Sequence, residues 1–204
     1  DSVDSSTLLR NADLALYRSK DEGGGVHFTY EPSLHAHAEE RRKLEFSLRR
    51  ALERNELSLN FQPVVDAQSE GILSFEALIR WHSAEHGFVS PNKFIPLAED
   101  TRLIIPIGEW VLREACRQAV RWPSHIKVAV NVSPVQFRSQ AFALKVAMAL
   151  ATSGLPARRL ELEVGRAEDL GDRSVERPDH RADVAVAGGP GQHGIDVRLR
   201  VVVR

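Results

Sequence analysis

The hydrophobic period changes repeatedly between Leu57 and Val164, and this alternation restricts the fold more than any other feature of the chain. Stretches with the period of two that is typical of strands are followed by stretches with the three-to-four-residue spacing of helices. Strand, helix, strand, helix, strand is the order of an α/β barrel or a doubly wound sheet. The predicted strands are residues 57–62, 72–81, 127–133 and 159–164, and the predicted helices are residues 91–98, 107–122 and 140–153.

The first two predicted strands are joined only by residues 63–71. A parallel crossover needs about a dozen residues or more, so the two strands are predicted to be antiparallel neighbours. Pro63 is expected to end the first strand, because a proline cannot donate a hydrogen bond to a strand ladder.

The sequence before this region has a different character. Residues 8–20 have helical spacing, and the glycines at 23–25 separate them from a strand-like stretch at 26–30. A short amphipathic helix is not stable alone in water, so we expect residues 1–31 to be the end of a domain whose body is absent. A second helix at about residues 39–54 carries Leu44, Leu48 and Leu52 on one face and is expected to form a helical linker over residues 32–56.

Residues 165–204 form an atypical tail. They contain no lysine and no aromatic residue, and only residues 183–187 and 195–203 are strand-like. Such a tail is a poor continuation of a barrel, although its last segment could supply one replacement strand. We therefore expect the edge of the 159–164 strand to be unpaired and the chain to be marginally folded and prone to self-association.

The composition excludes some classes of partner. Basic and acidic residues nearly cancel, 27 against 28, so there is no positive excess that would attract DNA, RNA or an anionic membrane. Small ligands or protein partners are expected instead. Cys116 is the single cysteine, and no apolar run approaches the roughly 18 residues of a membrane span. Together with the polar start of the chain, these features predict a cytoplasmic protein.

Polar side chains recur on strands that an α/β fold normally buries on both faces. Glu76 and Arg80 share one face of their strand, Asn131 lies on the smaller polar face of the next, and Glu161 and Glu163 share a face of the last. Such groups must be paired, solvated at a barrel mouth or bound to a cation. Two carboxylates and an amide oxygen suit Mg²⁺ or Mn²⁺. Three partly exposed strands with ordinary polar outer faces explain the same pattern without any site.

Four motifs in order resemble the EAL-domain family of cyclic-di-GMP phosphodiesterases. The stretch 76–81 (EALIRW) is similar to the signature that names the family, and the other three are 61–63 (FQP), 92–99 (NKFIPLAE) and 131–137 (NVSPVQF). The resemblance covers about residues 41–164, so residues 57–164 are interpreted as the amino-terminal half of an EAL domain. Residues 9–17 (LRNADLALY) are similar to the last helix of a GGDEF domain, which makes residues 1–31 a GGDEF remnant.

This resemblance implies an incomplete TIM-type (β/α) barrel with an antiparallel first strand, and an activity that hydrolyses cyclic-di-GMP to the linear dinucleotide. It implies Mg²⁺ or Mn²⁺ as the cofactor, held by residues that match the family's metal ligands: Glu76, Asn131 and Glu163. The residues that match substrate-contacting positions are Gln62, Leu78 and Arg80.

The chain departs from the family pattern immediately after Val164. The family has Thr and Glu at the next two positions, where this chain has Gly165 and Arg166, and the later Asp-Asp-Phe-Gly, lysine and glutamate motifs do not follow. We therefore expect a catalytically incompetent chain whose tail is frameshifted or fused. The alternative function is a non-catalytic module that senses cyclic-di-GMP or binds a protein partner.

Residues 82–86 (HSAEH) fit the H-x-x-E-H pattern of some zinc proteases. That pattern requires a helix to bring both histidines together, and this stretch lies between a strand and Gly87, so a loop is the favoured interpretation. Cys116 lies within a helical apolar pattern and is interpreted as a core thiol.

Overall fold

The computed structural model describes residues 4–21, 25, 27, 29, 33–164, 181–186 and 195–201. The chain divides into two units, Asp1–Arg49 and Arg50–Arg204. Among the helices in the described ranges, none has the length and apolar character needed to cross a lipid bilayer.

The first unit contains α1 (Ser5–Asp21) and most of α2 (Ser33–Ala51). Leu44 and Leu48 are buried, as their helical spacing predicted. The second helix ends three residues earlier than expected, because Asn55 adopts a left-handed conformation (φ 55°) and the Glu56 N–H bonds back to the carbonyl of Ala51. The strand predicted at residues 26–30 falls largely outside the described residues and stays a prediction.

The second unit is built on a mixed sheet. Its described strands are β1 (Leu57–Val65), β2 (Ile72–Ser83), β3 (Gly87–Val89), β4 (Lys127–Val132), β5 (Leu160–Val164), β6 (Arg181–Val186) and β7 (Ile195–Val201). The strand order is β1-β2-β4-β5-β7-β6, and β3 pairs with the last residues of β2 on the edge away from β1. Only β1 and β6 run antiparallel to their neighbours along this path, which confirms the antiparallel first strand.

The prediction that Pro63 ends the first strand is wrong. β1 continues to Val65, and Pro63 lies opposite Phe75 of β2. β1 stands at one end of the described strand order, so one of its edges needs no donor. A proline is compatible with an edge strand for that reason.

The prediction that the edge of the fourth strand stays unpaired is also wrong. β7 pairs in parallel with β5 over Glu161 to Val164, and β6 then pairs with β7 in antiparallel fashion. β7 is the replacement strand that the period-two pattern at the end of the tail allowed. Backbone N–H and C=O groups of a buried strand require partners, and β7 supplies them on this side of β5.

Helices follow the strands as the alternating pattern predicted. They are α3 (Pro91–Asp100), α4 (Ile104–Ala119), α5 (Pro134–Phe137) and α6 (Phe142–Ser153), and a 3₁₀ turn (Ala157–Arg159) precedes β5. α4 begins three residues before the predicted start and includes Pro106 in its first turn. A proline is compatible with that position, since the N–H groups of the first turn have no partner within the helix. α6 ends at Gly154 (φ 73°), as predicted.

The core of this unit lies between the sheet and these helices. Trp81 of β2 is fully buried and meets Phe94 of α3 edge-on, with ring centroids 5.6 Å apart. Phe61 and Phe75 contact the ring of Trp122 at centroid distances of 5.0 and 4.9 Å. This packing fixes β1 and β2 relative to the α4–β4 connection, and therefore fixes the opposite, polar face of the same strands.

Candidate functional site

Strand register brings the three predicted metal ligands to one face of the sheet. Glu76 of β2 is aligned with Ala129 of β4, and Asn131, two residues further along the same face, is aligned with Glu163 of β5. Asn131 Nδ2 donates a hydrogen bond of 2.7 Å to Glu76 Oε1. Glu163 is buried, with 8% of its surface exposed. The carboxylates of neighbouring strands thus flank the Asn131 amide.

The residues predicted to contact substrate lie around Glu76. Gln62 of β1 is directly opposite Glu76 and is exposed. Leu78 and Arg80 follow Glu76 on the same face of β2 and are half-buried. Arg80 Nη1 donates a hydrogen bond of 2.9 Å to the backbone carbonyl of Ile79, and this bond folds the guanidinium back along its own strand.

A pocket of about 210 Å³ joins part of this set. Glu76, Leu78, Arg80 and Asn131 contribute to its strand side. Apolar residues of α3 and α4 form most of the helix side, and Gln136 of α5 also lines it. Gln62 and Glu163 do not line it. Ligand pockets usually measure about 300–1,000 Å³, so this pocket has room for part of a dinucleotide-sized ligand, with the remainder outside it.

Lys127 is a charged partner that the sequence interpretation missed. Its Nζ lies 2.8 Å from Glu161 Oε1, and Glu161 is the residue of β5 aligned with Ala129. Glu161 points to the same face as Glu163, so the ion pair balances one of the carboxylates of this face. The signal was present in the sequence, because Lys127 and Asn131 have the same parity on β4.

The donor chemistry of Glu76, Asn131 and Glu163 fits a hard divalent cation. Carboxylate and amide oxygens are the ligands that Mg²⁺ and Mn²⁺ prefer, and Mg²⁺ completes its shell with water. Asn131 would offer Oδ1 to such a cation, because Nδ2 is engaged in its hydrogen bond to Glu76. Within the described ranges, no group of three or more His, Cys, Asp and Glu side chains forms a metal cluster. The candidate set has only two carboxylates and is completed by an amide.

The zinc-protease pattern is not supported by the fold. His82 lies in β2 and contacts the ring of Phe88, and residues 84–86 form the turn to β3 rather than a helix. Cys116 is fully buried in α4, as expected of a core thiol, and burial raises its pKa to about 12.

The fold and the site define a class: an α/β barrel-type domain with carboxylates and an amide at one polar face of its parallel strands. Residues 46–187 match the family model of the EAL domain. The chain belongs to the EAL-domain family, and its fold is the incomplete TIM-type barrel with an antiparallel first strand.

Several relatives support this assignment. The chain is 41% identical over 169 residues to the bifunctional diguanylate cyclase/cyclic di-GMP phosphodiesterase MucR of Pseudomonas aeruginosa, a match that covers 81% of this chain and 25% of MucR. It is 37% identical over 140 residues to the cyclic di-GMP phosphodiesterase PdeR of Escherichia coli, covering 67% of this chain and 21% of PdeR. The solved PaMucR phosphodiesterase in complex with c-di-GMP is 42% identical with a TM-score of 0.61, over 64% of this chain and 54% of that one. The chain therefore spans a fifth to a quarter of these curated relatives.

Proposed function

We propose that this chain provides the amino-terminal half of a cyclic-di-GMP site of the phosphodiesterase type. In this proposal Glu76, Asn131 and Glu163 are ligands of Mg²⁺ or Mn²⁺. The observation that carries the proposal is the 2.7 Å contact between Asn131 and Glu76, with Glu163 in register beside Asn131. Relatives named as cyclic di-GMP phosphodiesterases, at 37–41% identity, support the choice of ligand.

The substrate side of the proposal concerns Gln62, Leu78 and Arg80. The guanidinium of Arg80 can donate two parallel hydrogen bonds to phosphate oxygens after it leaves the Ile79 carbonyl. Leu78, between Glu76 and Arg80 on the same face, offers an apolar contact, and the Gln62 amide lies opposite Glu76. A divalent cation bound at the three ligands would supply an activated water for in-line attack on the phosphodiester.

We further propose that the 204-residue chain binds the nucleotide without hydrolysing it. Gly165 and Arg166 stand where the family motif has Thr and Glu, so the second carboxylate of that motif is missing. Three oxygen ligands are too few for a two-metal phosphodiesterase site. A sensing module is the second candidate function, and the same departure at residues 165–166 favours it.

Two further expectations belong to the proposal. A cytoplasmic location is supported by the single, buried cysteine, which suits a reducing compartment. A GGDEF-type origin of α1 is supported by the LRNADLALY stretch at residues 9–17.

Isothermal titration with cyclic-di-GMP in the presence of Mn²⁺, paired with chromatography of the products, tests this function. We expect saturable binding and no linear dinucleotide. Arg80→Ala should weaken binding about tenfold or more, because hydrogen bonds to a charged group contribute about 1.5–3 kcal/mol. Arg121→Ala is the matched control, since Arg121 is an exposed arginine outside the pocket.

The outcomes separate the two halves of the proposal. Turnover that Glu76→Ala abolishes would show a complete site and contradict catalytic incompetence. Equal affinities of Arg80→Ala and Arg121→Ala for cyclic-di-GMP would show that the nucleotide does not bind in the pocket that Arg80 lines. If binding does not respond to Mn²⁺ or to Asn131→Ala, the chain binds the nucleotide without a metal ion, and the proposed ligand set is wrong.

A further inference from the structure

Two reciprocal hydrogen bonds between Ser133 and the first turn of α5 hold the turn that follows Asn131. Ser133 Oγ accepts from the Val135 N–H at 3.2 Å, and Gln136 Oε1 accepts from the Ser133 N–H at 3.1 Å. This reciprocal pair is a capping box, and it ties the first turn of α5 to a residue only two positions after Asn131. Gln136 is 6% exposed, so its side chain lies inside the protein rather than over its surface.

Gly108 of α4 provides the space for the Gln136 side chain. A methyl group added at Gly108 would lie 2.5 Å from Gln136 Cδ and closer still to Nε2, which is inside van der Waals contact. Glycine inside a helix costs about 1 kcal/mol relative to alanine, so a helix gains nothing local from it. The gain is tertiary: the Gln136 amide is seated directly against the α4 backbone.

This contact lies next to the candidate site. Gly108 and Gln136 line the same pocket as Glu76 and Asn131. The end of β4 is therefore held on one side by strand pairing with β5 and on the other by an amide locked against α4. Both contacts restrict the backbone around Asn131, and the position of the Asn131 side chain depends on that backbone.

We propose that Gln136, seated on Gly108, is a positioning residue that keeps the Asn131 amide on Glu76 and so sets the geometry of the candidate site. This inference rests on the proposed function for its consequence, but the positioning itself is a property of the protein without any ligand. Both residues line the pocket, and in this proposal they affect the nucleotide through the position of Asn131.

Three variants separate positioning from folding. Gln136→Ala removes the amide that packs against Gly108. Gly108→Ala keeps the glutamine in the sequence but displaces its amide, because the new methyl group occupies the same space. Gly108→Ala/Gln136→Ala fills part of the emptied space with the new methyl group. Gln140→Ala is the matched control, because Gln140 is an exposed glutamine four residues further along the chain.

Three measurements are made on each variant. The urea midpoint reports the fold. The side-chain amide resonance of Asn131, assigned by its loss in Asn131→Ala, reports the site, and its contact with Glu76 is measured as the shift caused by adding Glu76→Gln. Cyclic-di-GMP affinity, by titration calorimetry with Mn²⁺, is the third readout.

We expect the Glu76→Gln shift of the Asn131 resonance in the wild type and in Gln140→Ala, and its loss in all three variants. The double variant should recover most of the urea midpoint that Gln136→Ala loses and still lack the shift. Affinity for cyclic-di-GMP should fall about tenfold in parallel with the lost shift.

Other results would overturn the proposal. If the double variant regains both the midpoint and the shift, Gln136 has a structural role only. If Gln136→Ala or Gly108→Ala keeps the shift, Asn131 is positioned without the seated amide. If the wild type binds no cyclic-di-GMP while the shift is lost as expected, the proposed function is wrong and the positioning role stands.

Discussion

Arg159 holds the connection between α4 and β4 from the inside of the protein. It is 5% exposed, and its described partners are backbone carbonyls: Nε donates to Ile126 O and Nη2 to Ala119 O, both at 2.8 Å, and Nη2 reaches Trp122 O at 3.4 Å. These carbonyls belong to the last turn of α4 and to the loop that enters β4. Arg159→Met keeps the aliphatic stem and removes every donor.

The expected loss follows from those bonds. A hydrogen bond to a charged group contributes about 1.5–3 kcal/mol, and a buried carbonyl left without a donor costs about 1–3 kcal/mol. The second cost does not apply to Ala119 O, because this carbonyl also accepts from the Trp122 N–H. Two bonds of good length are lost, and the release of a buried charge offsets part of the sum. We therefore expect Arg159→Met to lower the free energy of unfolding by about 3–5 kcal/mol. This is a large fraction of the roughly 5–15 kcal/mol that stabilises an ordinary domain.

Equilibrium unfolding in urea, followed by far-ultraviolet circular dichroism, measures this loss. Arg158→Met is the matched control, because Arg158 is the neighbouring residue and is exposed. A surface substitution of this kind changes stability by about 0.5 kcal/mol or less. If Arg159→Met lies within about 1 kcal/mol of Arg158→Met, the carbonyl bonds do not anchor the connection and the reasoning fails.

Further predictions concern charges elsewhere. Lys127→Met and Glu161→Gln should couple by about 1 kcal/mol in a double-mutant cycle of unfolding free energies, because the pair is partly buried at 2.8 Å; additivity would show that the pair is worth nothing. The Lys145 ammonium, 2.8 Å from Glu109 Oε2, lowers the pKa of the Glu109 carboxyl. The contribution of this ion pair to the free energy of unfolding is therefore present above about pH 4.3 and is lost as the pH falls through the lowered pKa. The wild type should therefore lose more stability than Lys145→Gln between about pH 5 and pH 3, and equal losses would contradict this. Cys116, whose pKa burial raises to about 12, should resist iodoacetamide in the native protein and react in urea; rapid native alkylation would show an accessible thiol.

Local pattern accounts for the elements of the fold because each element shows its own period. β2 and β4 reveal their two faces by alternation, and the short connector after β1 decides its direction. Parity also groups Glu76 with Arg80, and Glu161 with Glu163. Parity cannot say which residues of neighbouring strands are aligned. The contact of Asn131 with Glu76 depends on a register that only the folded sheet defines.

Other features depend on tertiary neighbours and have no local signature. Arg158 and Arg159 are chemically identical in sequence, yet one is exposed and the other is buried against carbonyls from α4. Pro63 stays within β1 because that strand is at an edge, which is a property of the sheet. The capping box that ends in Gln136 was visible as Ser-x-x-Gln, but its seat on Gly108 lies 28 residues away in sequence and could not be predicted.

Mapping cyclic-di-GMP onto the protein by amide chemical shifts tests the central claim most directly. In the presence of Mg²⁺, we predict saturable shifts concentrated at Gln62, Glu76, Arg80 and Asn131, with α6 unaffected. The same shifts should be much reduced in Arg80→Ala at equal nucleotide concentration. Shifts confined to other surfaces, or none at millimolar nucleotide, would contradict a cyclic-di-GMP site on this face of the sheet.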